Sequence, residues 1–150
     1  MNVRDLMQSE VATLKSSDTL GLADDIMRLG RIRHLPVVSG DRLVGILSQR
    51  DLFRAAISSV LRMRPATERE WLARVPVKEV MSSHVVTIGV TATVREAVNL
   101  MLEKRVGCLP VVEEGKLVGL LSETDCLRFL ARMLEIPEVR NQLPELRFPE

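Results

Sequence analysis

GILSQRD, residues 45–51, and GLLSETD, residues 119–125, spell one phrase twice, 74 positions apart: a glycine, two apolar residues, a serine, and an aspartate three places after the serine. If the two stretches are copies, the same offset must hold outside them, and it does so without a gap. VRDLMQSEVATL (3–14) lies over VKEVMSSHVVTI (77–88), LADDIMRLGRIRHLPVV (22–38) over EAVNLMLEKRVGCLPVV (96–112), and RLVGILSQRD (42–51) over KLVGLLSETD (116–125). Met7, Thr13, Ala23, Met27, Arg31, Leu35, Pro36, Val37, Val38, Val44, Gly45, Ser48 and Asp51 all meet identical residues. Internal duplication is therefore the first fact about the fold. The copies are placed at 1–60 and 77–135, with a linker at 61–76 and a tail at 136–150.

Periodicity changes in the same order within each copy. VATL and VVTI are short and β-branched, and read as strands. Thr93 and Glu96 then have capping-box spacing ahead of Ala97, Leu100 and Met101, so a helix starts there. In the first copy Thr19 still caps, but Leu22 replaces the glutamate and Gly21 lowers helix propensity, so that start is expected to be weaker. LPVV and the following RLVGIL or KLVGLL read as two strands joined by SGD or EEG turns, and a second helix begins after Ser48 or Ser122. The expected architecture is a mixed α/β (α+β) fold, a tandem pair of β-α-β-β-α units related by a pseudo-twofold axis, with a short leading helix near Val3–Met7. A unit of this size leaves one apolar sheet face wet, and pairing with its duplicate covers it.

The linker is patterned too. AAISSVLRM extends the second helix until Pro65, and TEREWLARV reads as another short helix with Thr67 and Glu70 in capping-box spacing. Trp71, the only tryptophan, is expected to anchor a core or an interface. The tail carries Leu143, Leu146 and Phe148, suited to packing against the body or a second subunit.

Composition removes several classes of function. Lys plus Arg, 21, nearly balances Asp plus Glu, 20, so the chain lacks the basic field of a general nucleic-acid binder. No apolar run reaches the ~20 residues of a membrane span, and the first ten residues lack a signal-peptide core. No membrane partner and a cytoplasmic location are expected. Cys108 and Cys126 form no CxxC pair and read as free thiols. His34 and His84 are the only histidines, neither belongs to a ligand-spaced cluster, and no nucleophile-elbow or phosphate-loop motif is present. No catalytic residue, no metal site and no required cofactor are expected, so the chain does not read as an enzyme.

The Ser-x-x-Asp pairs have two readings. Serine as N-cap and aspartate at the third helical position stabilise a helix start. The same helix mouth also receives an anionic oxygen, and an ionised aspartate accepts bonds from sugar hydroxyls.

The chain resembles the cystathionine-β-synthase-type (CBS) domain family. The resemblance rests on Leu35-Pro-Val-Val38 and Leu109-Pro-Val-Val112, on the two G-h-h-S-x-x-D stretches (h, apolar), on the V-x-D/E-x-M leaders at Val3–Met7 and Val77–Met81, and on Thr-x-x-x-Ala before each first helix. It covers residues 3–130. It implies tandem units that bind adenosine-containing ligands, AMP, ADP, ATP or S-adenosylmethionine, in clefts between the copies. Carried over, ribose contacts fall on Asp51 and Asp125, and ribose or phosphate contacts on Ser48 and Ser122. Adenine contacts fall on Thr13, Leu14, Thr87 and Ile88, and the cleft wall on Arg33, His34, Pro36, Gly107, Cys108 and Pro110. Arg33 against Gly107 and His34 against Cys108 make the clefts unequal, with Arg33 able to pair with a phosphate as a planar fork. The resemblance implies a regulatory sensor that forms a homodimer through apolar helix faces and acts on an unidentified protein partner. The competing reading is a structural dimerisation module whose clefts are vestigial.

Overall fold

The computed structural model describes residues 1–60 and 68–138. The expected extension past Val60, Pro65, Thr67 and the tail residues Leu143, Leu146 and Phe148 lie outside the described residues. The first copy runs α1 (Val3–Leu6), β1 (Leu14–Lys15), α2 (Leu20–Gly30), β2 (His34–Ser39), β3 (Arg42–Ser48) and α3 (Gln49–Val60). Helix α4 (Glu68–Leu72) and a 3₁₀ turn (Val77–Glu79) lead into β4 (Ile88–Gly89), α5 (Val94–Lys104), β5 (Cys108–Glu113), β6 (Lys116–Ser122) and α6 (Glu123–Leu134). The duplication expected from sequence is thus repeated element for element. The strands of VATL and VVTI are shorter than expected, since only Leu14–Lys15 and Ile88–Gly89 pair, each in parallel with the middle of the Pro-Val-Val strand.

Local chemistry explains the helix boundaries. Thr93 Oγ1 accepts from Glu96 N at 3.1 Å while Thr93 N donates to Glu96 Oε2 at 2.7 Å, a complete capping box. Thr19 Oγ1 accepts from Leu22 N at 3.2 Å without a reciprocal acid, the weaker start the sequence implied. Both α2 and α5 end on an arginine in the left-handed region, Arg31 at φ 51° and Arg105 at φ 54°. Trp71 on α4 packs against the first copy's core beside Leu72 and Val75.

One six-stranded sheet results, in the order β1-β2-β3-β6-β5-β4. The copies meet where Arg42 of β3 pairs with Lys116 of β6. Two buried clusters lie on either side of this line. One contains Leu14, Leu20, Leu35, Val37, Leu47 and Val77, and the other Val3, Ile88, Ala97, Leu109, Val111 and Leu121.

Val3 and Val77 are each in the core of the opposite copy. The leaders cross over. Val3 N donates to Ala92 O and Val77 N to Asp18 O, both at 2.7 Å, and Gln8 bridges Leu120 as Ser82 bridges Ile46. These pairs superpose on one another under the 74-residue offset, so the exchange obeys the pseudo-twofold. It also accounts for two residues of the repeated phrase at once. A Cβ on Gly45 would lie 2.5 Å from Met81 Sδ, and one on Gly119 would lie 2.5 Å from Met7 Sδ. Each leader methionine fills the space that the other copy's glycine leaves open.

Candidate functional site

The strand-to-helix corners at Ser48 and Ser122 bring the two Ser-x-x-Asp pairs to the line where the copies meet. Both serve as capping boxes. Asp51 N donates to Ser48 Oγ at 3.0 Å and Ser48 N to Asp51 Oδ2 at 2.8 Å. In the second copy Asp125 N donates to Ser122 Oγ at 3.2 Å and Ser122 N to Asp125 Oδ2 at 2.9 Å. These bonds fix each carboxylate at a helix mouth without using both of its oxygens.

From there the copies diverge. Gln8, carried over on the first leader, donates from Nε2 to Asp125 Oδ1 at 2.8 Å. Asp125 is 8% exposed, the one buried charged residue among those described. Its counterpart Asp51 is only half-buried, and the residue matching Gln8 is Ser82, whose shorter side chain makes no such bond. Asp51 therefore faces an open cavity of about 1040 Å³, which Ser48, Arg33, His34, Gly107 and Cys108 also line. Six of the expected site residues are brought together there.

The rest are elsewhere. Ser122 and Asp125 are not in the wall of this cavity. Pro36 and Pro110 are fully buried in the middle of β2 and β5. Leu14 and Ile88 are core residues, Thr13 is exposed and Thr87 half-buried, and none of the four borders the cavity. The wall includes instead Ser82, His84 and Val85 from the second leader, Arg50 and Arg54 from α3, Arg105 at the end of α5, and Glu123 at the start of α6. None of these is among the expected site residues. The only signal for the leader residues is the methionine–glycine complementarity across copies, which no helical or strand period reveals.

Arg33 reaches across the seam, with Nη2 3.4 Å from Glu123 Oε1 and 3.5 Å from Thr124 Oγ1. Both partners are more than half exposed, so the bridge contributes little to stability. At the matching position of the second copy, a Cβ on Gly107 would lie 3.2 Å from the exposed Glu123 carboxyl group, a tight contact that the side chain can relieve.

Burial holds the His34 imidazole below its ordinary pKa of 6.5. Arg33 adds to that effect, Glu123 and Asp51 oppose it, and Arg50 reinforces it. Cys108 has its thiol pushed up to about 12, by burial first and then by Asp125 and Glu123. Burial and then Asp125 also raise Cys126, and both cysteines are free. Among the described residues no three His, Cys, Asp or Glu side chains converge as a metal site would require. None of the described helices is long and apolar enough to cross a membrane.

The model of the CBS domain matches residues 3–58 and again residues 77–132. This chain belongs to the CBS domain family. As a CBS pair it is 35% identical over 135 residues to a CBS domain-containing protein of Dictyostelium discoideum, covering 89% of this chain and 93% of that one. It is 32% identical to an uncharacterized Methanocaldococcus jannaschii protein over 87% of its own length, and spans 49% of that longer chain. Among solved structures, a Vibrio cholerae protein assigned to acetoin utilization (AcuB) superposes with a TM-score of 0.81 at 33% identity, covering 92% of this chain and 97% of the other. The CBS pair of the protein MJ0100, solved with 5′-methylthioadenosine and S-adenosylmethionine, superposes at 0.75 with 22% identity, over 88% and 97% of the two chains. CBSX2, solved with AMP, superposes at 0.72 with 23% identity over 87% and 96%. At those identities the last two establish a shared fold.

Proposed function

We propose that this CBS pair is a regulatory module that binds an adenine nucleotide or a related adenosyl metabolite in the cleft between its copies. Binding alters its own dimer geometry or a protein partner. The observation that carries the reading is Asp51. Its carboxylate is fixed at a helix mouth by Ser48, and it lines an open cavity of about 1040 Å³ that both copies build. A carboxylate so placed accepts bonds from ribose hydroxyls, and the cavity is at the upper end of the ~300–1,000 Å³ usual for small-molecule sites. That MJ0100 and CBSX2 hold adenosyl ligands on this fold supports the class of ligand. In this reading the module regulates and does not catalyse. Free cysteines are in keeping with a cytoplasmic setting.

The homodimer forms, in this reading, through α3 and α6. These helices expose Phe53 and Leu127, each 63% accessible, together with Ile57 and Leu130. The same face favours a second reading, a dimerisation unit whose clefts are vestigial. A ligand response separates the two. In thermal unfolding with AMP, ADP, ATP, S-adenosylmethionine and 5′-methylthioadenosine, a ligand at a hundredfold excess over its Kd adds about 2.7 kcal/mol. For a chain of this size that is a rise of roughly 5–11 °C. The sensor reading expects such a rise for at least one ligand and its loss in Asp51→Ala, each protein compared with its own ligand-free midpoint. No rise with any of the five supports the dimerisation unit.

A further inference from the structure

The duplicated halves provide an internal control on the charge of the cleft. Arg33, Arg50, Arg54 and Arg105 line the cavity, and only Asp51 and Glu123 oppose them. The whole chain carries a formal charge of just +1, so positive charge is concentrated here. Both carboxylates already have partners: Asp51 holds Ser48 N, and Glu123 is 3.4 Å from Arg33. Among the described residues, Arg50, Arg54 and Arg105 have no acidic side chain within ion-pair distance, so three guanidinium groups face the cavity with their charge unspent.

Two of the four arginines belong to the pattern of both copies, since Arg54 matches Arg128 and Arg105 matches Arg31. The other two do not. Arg33 matches Gly107 and Arg50 matches Thr124, so the excess charge on the open cleft comes from two positions at which the other copy is neutral. Arg33 immediately precedes β2, whose His34 pairs with Ser48, and Arg50 is the second residue of α3, within the Ser48–Asp51 corner. A ligand whose ribose is held by Asp51 would share this cavity with both guanidinium groups.

We infer that the cleft at Asp51 selects adenosyl ligands by the charge of their 5′ group, accepting phosphates and disfavouring a sulfonium, and that Arg33 and Arg50 set this selection. The inference rests on the proposed adenosyl site and adds the ligand's chemical class. A 5′-phosphate gains charge-assisted bonds from guanidinium groups, at the cost of the exposed and weak Arg33–Glu123 bridge. A sulfonium ion at the same place meets like charge.

The test uses three ligands with one adenosine and different 5′ charge: AMP, 5′-methylthioadenosine and S-adenosylmethionine. Titration calorimetry on the full chain is expected to rank them in that order, AMP binding at least tenfold more tightly than S-adenosylmethionine. The double variant Arg33→Gly, Arg50→Thr installs the residues that the other copy already carries at these positions, which keeps the risk to folding low. It is expected to weaken AMP at least tenfold and leave 5′-methylthioadenosine unchanged. Equal affinity for the three ligands in the parent chain would overturn the selection while leaving the adenosyl site standing. So would a variant that keeps its preference for AMP, or one that loses 5′-methylthioadenosine as well. Absence of binding by all three would overturn both the selection and the site beneath it.

Discussion

Gln8 donates from Nε2 to Asp125 Oδ1 at 2.8 Å across 117 residues of sequence, whereas its counterpart Ser82 leaves Asp51 without such a partner. A pseudo-twofold that is strict for backbone bridges is therefore broken at the two carboxylates expected to hold ribose. One is occupied from within the chain and the other opens onto a cavity.

On the proposed function this sets the stoichiometry. Titration calorimetry is expected to give one adenosyl ligand per chain, at the Asp51 cleft. Gln8→Ser copies Ser82 and frees Asp125 Oδ1, so the variant is expected to take up a second, weaker equivalent. Two equivalents in the parent chain, or one equivalent that survives Asp51→Ala, would contradict this assignment.

The glycines of the repeated phrase are structural first. Replacing Gly45 by alanine puts a methyl group 2.5 Å from Met81 Sδ and 3.1 Å from Ser82 O, and at Gly119 the matching distances are 2.5 Å to Met7 Sδ and 3.0 Å to Gln8 O. The thioether can move; the backbone carbonyl, fixed in a bridge to the neighbouring strand, cannot. Each substitution is expected to destabilise by about 1–3 kcal/mol in urea unfolding. Adding Met81→Ala to Gly45→Ala is expected not to restore the parent value, because the carbonyl contact remains.

Cys108 allows a check on the electrostatics of the seam. With its thiol pushed up to about 12 against an ordinary 9.0, it stays protonated in the folded chain at pH values where the unfolded chain has lost that proton. The unfolded state then binds fewer protons, so this group makes stability fall as pH rises above about 9, and Cys108→Ala is expected to flatten that slope. At pH 8 the folded protein is expected to leave Cys108 unmodified by a thiol reagent, with reaction appearing on unfolding in urea. Rapid labelling of Cys108 in the folded state would contradict its burial.

The duplication, the order of elements and the capping residues were legible because each depends on local chemistry: a cap three residues from its acid, a turn between two apolar strands. The crossing of the leaders was not, because Val3 and Val77 look like ordinary apolar residues of their own copies and nothing in their spacing says which core they enter. The same long-range step decides which of the expected site residues border the cavity. Thr13, Leu14, Thr87 and Ile88 precede the first helices as expected, yet Ser82, His84 and Val85 are the leader residues that border the cavity, delivered there by the Ser82–Ile46 bridge. Pro36 and Pro110 sit in the right motif but in the buried middle of their strands. The inequality of the clefts was legible at Arg33 and Gly107, although the bridge from Arg33 to Glu123 of the other copy belongs to the packing.

The exchanged leaders make a prediction that a simple chain of two units would not. Val3 and Val77 are both fully buried, and each packs among residues of the other copy. Truncating either to alanine is expected to cost up to about 1.5–3 kcal/mol, the worth of burying a valine side chain. The location of the damage is the sharper readout. Local opening is reported by hydrogen exchange, which resolves one cooperative region from another. Val3→Ala is expected to speed exchange in α5 and β5, some ninety residues away along the chain in order of magnitude, with α2 and β2 little changed. Val77→Ala is expected to do the reverse, loosening α2 and β2. If each truncation instead loosened the helix and strands that follow it in sequence, the leaders would not be exchanged in solution, and the route by which Gln8 reaches Asp125 and Ser82 reaches the Asp51 cleft would be lost with them.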